Sequence, residues 1–112
     1  MNQPIPEDLE YHPNACEEED QIRSWYREQS PRTALEFETA LDRVEDDLLR
    51  DPYAYLSHIH GTRRHKVGKF PYWVVYLILP EMILIVAISH EKRHPEYWVE
   101  RLEDEDSNQD ED

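Results

Sequence analysis

An apolar stretch of twenty residues, 70–89 (FPYWVVYLILPEMILIVAIS), carries Pro80-Glu81 at its centre, and that pair narrows what the chain can fold into. The length would suit a membrane-spanning helix. A carboxylate at mid-bilayer is costly, however, and a proline there breaks the helix. Val, Tyr, Phe and Trp dominate the first half, and such residues fit a pleated, half-buried surface. Two runs of about eight residues around a Pro-Glu turn therefore predict a β-hairpin, residues 72–79 and 82–89. Both faces of the hairpin are apolar, so one is expected to pack on helices and the other is unusually greasy. No membrane partner is expected.

Basic and histidine-rich segments flank this stretch, HIHGTRRHK before it and HEKRHPEYWVER after it. Strands that cross a core deliver whatever lies at their ends to a rim, so these flanks define an expected functional rim. The rim stands out because the 112-residue chain has a net charge of −14, made up of −10 over residues 1–57, +3 over 58–101 and −7 over 102–112. Global acidity repels nucleic-acid phosphate at long range, but only local charge reaches a bound phosphate at physiological ionic strength. The length supports one domain and the 38% apolar content a modest core. Cys16 is the only cysteine, which forbids an internal disulfide and fits a reducing cytosol; a buried or half-buried packing role on a helix is expected for it. The N-terminal residues carry neither a basic nor an apolar signal region, and a cytoplasmic location is expected.

Residues 9–12 read as a short strand ended by Pro13 and Asn14. A helix is predicted over 15–29, with Ile22, Trp25 and Tyr26 as its apolar stripe and acids in its first turns. Ser30-Pro31 suggests a cap followed by a second helix to about residue 50, buried through Phe37, Leu41, Val44 and Leu48. A strand over 62–70 should place Val67 and Phe70 in the core. A short helix is predicted over 95–102. The fold class is therefore α+β, a helical hairpin on a small, mostly antiparallel sheet in the order β-α-α-β-β-β-α. Residues 1–8 form an N-terminal extension, 9–102 the domain, and 103–112 (EDEDSNQDED) an acidic tail without apolar residues, expected to be disordered. Such a tail could fold over the basic rim and screen it.

The richest constellation is His90-x-x-Arg93-x-Pro95-x-Tyr97-Trp98-x-x-Arg101. Arginine can hold phosphate through two parallel hydrogen bonds, and histidine titrates near neutrality and can act as acid or base. Tyr97 and Arg101 share a helical face. In the bland alternative, Tyr97 and Trp98 pack the terminal segment while Arg93 and Arg101 pair with Glu96 or Glu100. Arg63, Arg64, His65, Lys66 and Lys69 form a second cluster. Strand alternation sends Arg63 and His65 to one face and Arg64 and Lys66 to the other. That cluster reads either as a phosphate- or target-binding surface or as a charged edge strand that blocks aggregation. The histidines lack a cysteine or paired carboxylate to complete a metal site, and no glycine-rich phosphate loop is present. No metal or cofactor is expected.

Over roughly residues 9–102 the sequence resembles the RelE/ParE superfamily of type II toxin–antitoxin toxins. The resemblance rests on YHPNA leading into a helix, WY within it, F-x-x-A-L in the next, DPYAY, RR, FPYWVVY, ILIVAISH and R-x-P-x-Y-W-x-x-R. It implies a small growth-inhibiting toxin bound by a cognate antitoxin that covers its active or target-binding surface. RelE-like members are ribosome-dependent endoribonucleases that cut mRNA, whereas ParE-like members poison DNA gyrase. On the ribonuclease reading the resemblance assigns His90, Arg93 and Tyr97 to catalysis, with Arg63, Arg64, Lys66, Lys69 and Arg101 available to phosphate or target. The ribonuclease branch favours arginine after the tyrosine of the FPYWVVY strand, where this chain has Trp73. That departure counts against nuclease activity, and the net acidity favours a protein target such as gyrase, a weak toxin, or a family member that only binds.

Overall fold

A computed structural model describes residues 3–103. Its elements are β1 (Asp8–Tyr11), α1 (Pro13–Gln29), α2 (Pro31–Arg50), β2 (Leu56–Ser57), β3 (Arg63–Lys66), β4 (Tyr72–Ile78) and β5 (Met82–His90), with single 3-10 turns at Pro52–Ala54 and Ile59–Gly61. The strands form one five-stranded sheet in the order β1-β5-β4-β3-β2. Only the β1–β5 pair is parallel. The α+β class and the helical hairpin on a mostly antiparallel sheet are as the sequence implies.

Local chemistry explains the helix ends. His12 caps α1, its Nδ1 accepting from the Asn14 N–H at 3.1 Å, so Pro13 opens the helix instead of ending the strand. Ser30 alone joins the two helices. Its N–H donates to the Tyr26 carbonyl at 2.7 Å and its Oγ accepts from the Thr33 N–H at 3.3 Å, which closes one helix and opens the next. The buried stripe of α2 is Ala34, Phe37, Leu41, Val44 and Leu48, with the expected helical spacing.

The principal core lies between the helices and one face of the sheet, where Phe37, Leu41 and Leu48 meet Val74, Tyr76, Ile83, Ile85 and Ile88, joined by Val67 and Phe70. The other face, built from Val75, Leu84, Val86 and Ala87, is covered by the C-terminal segment through Trp98, which is 1% exposed. That cover resolves the two-faced hydrophobicity of the hairpin.

Four expectations need correction. The segment after Pro95 forms turns with i→i+3 bonds (Val99 N–H to Glu96 O, 3.1 Å; Arg101 N–H to Trp98 O, 2.9 Å), and only residues 100–103 are helical. Anchoring Tyr97, Trp98 and Arg101 onto the sheet favours this tighter winding. An additional two-residue strand, β2, pairs with β3; a strand so short leaves no periodic signal. Trp25 is 57% exposed, outside the core that holds Ile22, and Cys16 is exposed on α1. The weakly amphipathic α1 buries only Ala15 and Ile22 fully, which leaves both residues towards solvent. The acidic tail, apart from Glu103, lies outside the described residues.

Candidate functional site

The site begins with a break in the sheet. Strand β1 ends at Tyr11, and its last bond to β5 is from the His12 N–H to the Ile85 carbonyl at 2.8 Å. Just beyond, Tyr76 pairs with Ile85 and Val75 with Ala87, so Val86 is an extra residue, a β-bulge. On the side facing β1, the backbone groups that follow on β5 therefore need partners other than a strand. Helix α1 grows directly from the end of β1 and supplies one. Glu18 Oε1 accepts from the Ile88 N–H at 3.0 Å, while Arg101 Nη1 donates to the Val86 carbonyl at 2.9 Å.

Glu18 and Arg101 are also bound to each other. Arg101 donates through Nη1 to Oε1 at 3.0 Å and through Nη2 to Oε2 at 2.9 Å, a two-pronged pair with both side chains 12% exposed. The Tyr97 hydroxyl donates to Glu18 Oε2 at 2.7 Å. Burial and then the Glu18 hydrogen bond hold the Tyr97 phenol well above its ordinary range. Burial opposes the charge on Arg101, but the hydrogen bonds and charge of Glu18 outweigh it and hold the guanidinium above its ordinary value. One carboxylate thus ties α1, the bulge of β5 and the C-terminal segment together. Glu18 is not among the residues the sequence singles out, although it shares a helical stripe with buried Ala15 and Ile22 (i, i+3, i+7). An acid in an apolar stripe is the available signal, masked here by the EEED run.

The rim itself forms because β3, β4 and β5 end together. Lys66 pairs with Trp73 and Trp73 with Ser89, while Tyr72 pairs with His90. Alternation along β3 divides the charges as expected. Arg64 lies over the Trp73 ring at 4.3 Å and Lys66 at 5.7 Å, whereas Arg63 donates to the Tyr53 and Tyr55 carbonyls (3.2 and 2.7 Å) and His65 meets Asp47 at 2.9 Å. Arg64, Trp73, Ser89, His90 and Arg93 line a cavity of about 70 Å³ together with His58. Arg64 Nε is buried there without a hydrogen-bond partner among the described residues. The exposed Arg93 lies over the Tyr97 ring at 3.9 Å. The His90 Nδ1 accepts from the Lys92 N–H at 3.0 Å, which places the proton of the neutral ring on Nε2.

His90 and Arg93 also border a second concavity of about 280 Å³ on the helix side, with Ile22, Trp25 and Tyr72. They form a polar ridge between two hollows, the larger one fronted by an exposed tryptophan. The sequence-derived residues thus separate. Arg64, His90 and Arg93 converge, and Lys66 lies beside them on Trp73. Tyr97 and Arg101 are held by Glu18, Arg63 is bonded to backbone carbonyls, and Lys69 lies in a separate groove on α2. Among the described residues, no group of three or more His, Cys, Asp or Glu side chains is arranged to hold a metal ion, and no helix is long and apolar enough to cross a membrane.

The same architecture occurs in a solved chain from a chromosomal ParDE toxin–antitoxin system of P. aeruginosa, with a TM-score of 0.67 at 18% identity over 78% of this chain and 98% of that one. Among curated proteins no sequence matches. Residues 9–95 match the family model of the ParE toxin of the type II toxin–antitoxin system parDE, and the chain belongs to that family. Membership implies a cognate antitoxin as partner.

Proposed function

We propose that this chain is a growth-inhibiting toxin that acts on DNA gyrase through a protein-docking face, and that its antitoxin silences it. The observation that carries this reading is the engagement of Tyr97 and Arg101 by Glu18. Those two side chains would otherwise position and neutralise an RNA phosphate; here they hold the fold together. Trp73 stands where the ribonuclease branch of the resemblance favours arginine, and it serves as a platform for Arg64. What remains exposed is suited to protein contact. Tryptophan and arginine are the residues most often dominant in interfaces, and Trp25 and Arg93 flank the same hollow.

One observation favours a second reading, mRNA cleavage on the ribosome. Arg64, Arg93, His58 and His90 line a single small cavity, together with the acid Glu91; the two guanidinium groups could hold a phosphate and leave His90 to move a proton. A supercoiling assay on purified gyrase, run beside primer extension on translating ribosomes, separates the two. The first reading expects gyrase inhibition without new mRNA ends. Cleavage abolished by Arg93→Ala would establish the second instead, and silence in both assays would mark a binding module without toxicity.

A further inference from the structure

In a chain with 26 Asp and Glu against 12 Lys and Arg, an arginine that meets no carboxylate stands out. Arg23, Arg32, Arg50 and Arg101 each pair with an acid, and Arg63 donates to two backbone carbonyls. Arg64 and Arg93 form no ion pair among the described residues, yet they line one cavity. Each lies on an aromatic ring instead, Arg64 over Trp73 at 4.3 Å and Arg93 over Tyr97 at 3.9 Å. Stacking of this kind fixes the guanidinium plane and leaves the donors at its edge available. Arg64 Nε is even buried without an acceptor among the described residues, a costly state for a charged donor.

The rest of the lining adds donors. Ser89 is buried, and its hydroxyl reaches the His90 carbonyl only at 3.5 Å, longer than an ordinary O–H···O bond. His90 carries a ring N–H, since its Nδ1 accepts from the Lys92 amide. His58 is held below its ordinary pKa by burial, then by Arg64 and His60, so the field around it disfavours further positive charge. The one acid lining the cavity among the described residues is Glu91, and it is exposed. At about 70 Å³ the cavity has room for about two water molecules, far below the roughly 300 Å³ of a drug-sized site. That is the scale of one compact oxyanion.

We propose that this cavity binds a phosphate dianion carrying at most one ester bond, either inorganic phosphate or the terminal phosphate of a nucleotide. Such a group presents three or more free oxygens, which the two guanidinium groups can share with Ser89 and His90. A phosphodiester has a single negative charge and two substituents to lead out of the cavity, so it fits less well. The assignment rests on the cavity and on neither gyrase nor the ribosome as target. Under the cleavage reading the same residues would face a diester, and comparison of the two esters separates the ideas.

The test is calorimetric titration of the full chain, in phosphate-free buffer, with inorganic phosphate, adenosine monophosphate and cyclic adenosine monophosphate as the diester. The first two should bind saturably and about tenfold or more tighter than the diester. Arg64→Gln and Arg93→Gln should each weaken them by about tenfold or more. Arg93 is exposed, so its variant tests the site even where Arg64→Gln disturbs the fold. Lys69→Gln, in the separate groove on α2, should leave binding unchanged. Tighter binding of the nucleotide than of phosphate would identify a nucleotide as the ligand, and binding no tighter would identify free phosphate. The absence of saturable binding, diester binding within tenfold of the monoester, or wild-type binding by Arg93→Gln would each overturn the proposal. A negative gyrase assay leaves the expected affinities unchanged, so the two proposals fail separately.

Discussion

Glu18 shows how one side chain can decide whether others serve chemistry or architecture. Its carboxylate accepts from the Ile88 amide, from the Tyr97 hydroxyl and from two nitrogens of Arg101, within a region sealed from most solvent. Removing one member of a buried ion pair strands the other charge, at a cost of roughly 3 kcal/mol. Glu18→Ala should therefore lower the unfolding free energy measured in urea by that order. Adding Arg101→Met should recover most of the loss, because no unpaired charge remains. A double variant as unstable as the sum of the two single ones would contradict the pairing. A second titratable residue, His58, is held below its ordinary pKa by burial, then by Arg64 and His60. The unfolded chain therefore binds the proton first as pH falls, and stability present above the unfolded pKa is lost as pH drops towards the folded one. The urea midpoint should decline as pH falls below about 6.5, the ordinary histidine value, and His58→Asn should flatten part of that decline.

At the scale of elements, sequence periodicity read best where a side-chain pattern and a backbone signal agree. Helix α2 has its buried stripe, Ser30 before it and Asp51-Pro52 after it, and its extent is as expected. The hairpin is equally legible from its β-rich run and the Pro80-Glu81 turn. Strand β2 is not legible, because it pairs through only two residues, and Trp25 lies outside its expected stripe because α1 offers the sheet little more than Ala15 and Ile22. The bulge at Val86 lies in a continuous apolar run, where no local signal marks an extra residue. The C-terminal segment is the most consequential of these elements, since Trp98 seals the outer face of the hairpin and His60 Nε2 meets Glu96 at 2.7 Å. Truncating a buried tryptophan typically costs about 4 kcal/mol. Trp98→Ala should show a loss of that order in urea denaturation and should release the segment to proteolysis. A loss below about 1 kcal/mol would mean that the outer face is not sealed through Trp98.

Across the whole molecule, charge and hydrophobicity are partitioned so that distinct surfaces can face distinct partners. The end of the sheet collects Arg64, His90 and Arg93 beside the exposed Trp25, while the outer side of α2 collects Arg32, Arg43 and Lys69 around Leu35. The sequence indicated that cations gather at the ends of the central strands. It could not reveal that tertiary contacts would remove Tyr97 and Arg101 from that set, since their partner lies about 80 residues away on α1. On the proposed function, the face shared by Trp25 and Arg93 acts on a protein target. Its most direct test is a gyrase supercoiling titration with the wild-type chain, Trp25→Ala and Arg93→Glu. Hot-spot residues of this kind carry about 2 kcal/mol or more of binding, roughly thirtyfold in affinity. Action on gyrase through this face predicts wild-type inhibition and a shift of that size in each variant, while wild-type inhibition unchanged by both substitutions, or none at all from the wild-type chain, would contradict it.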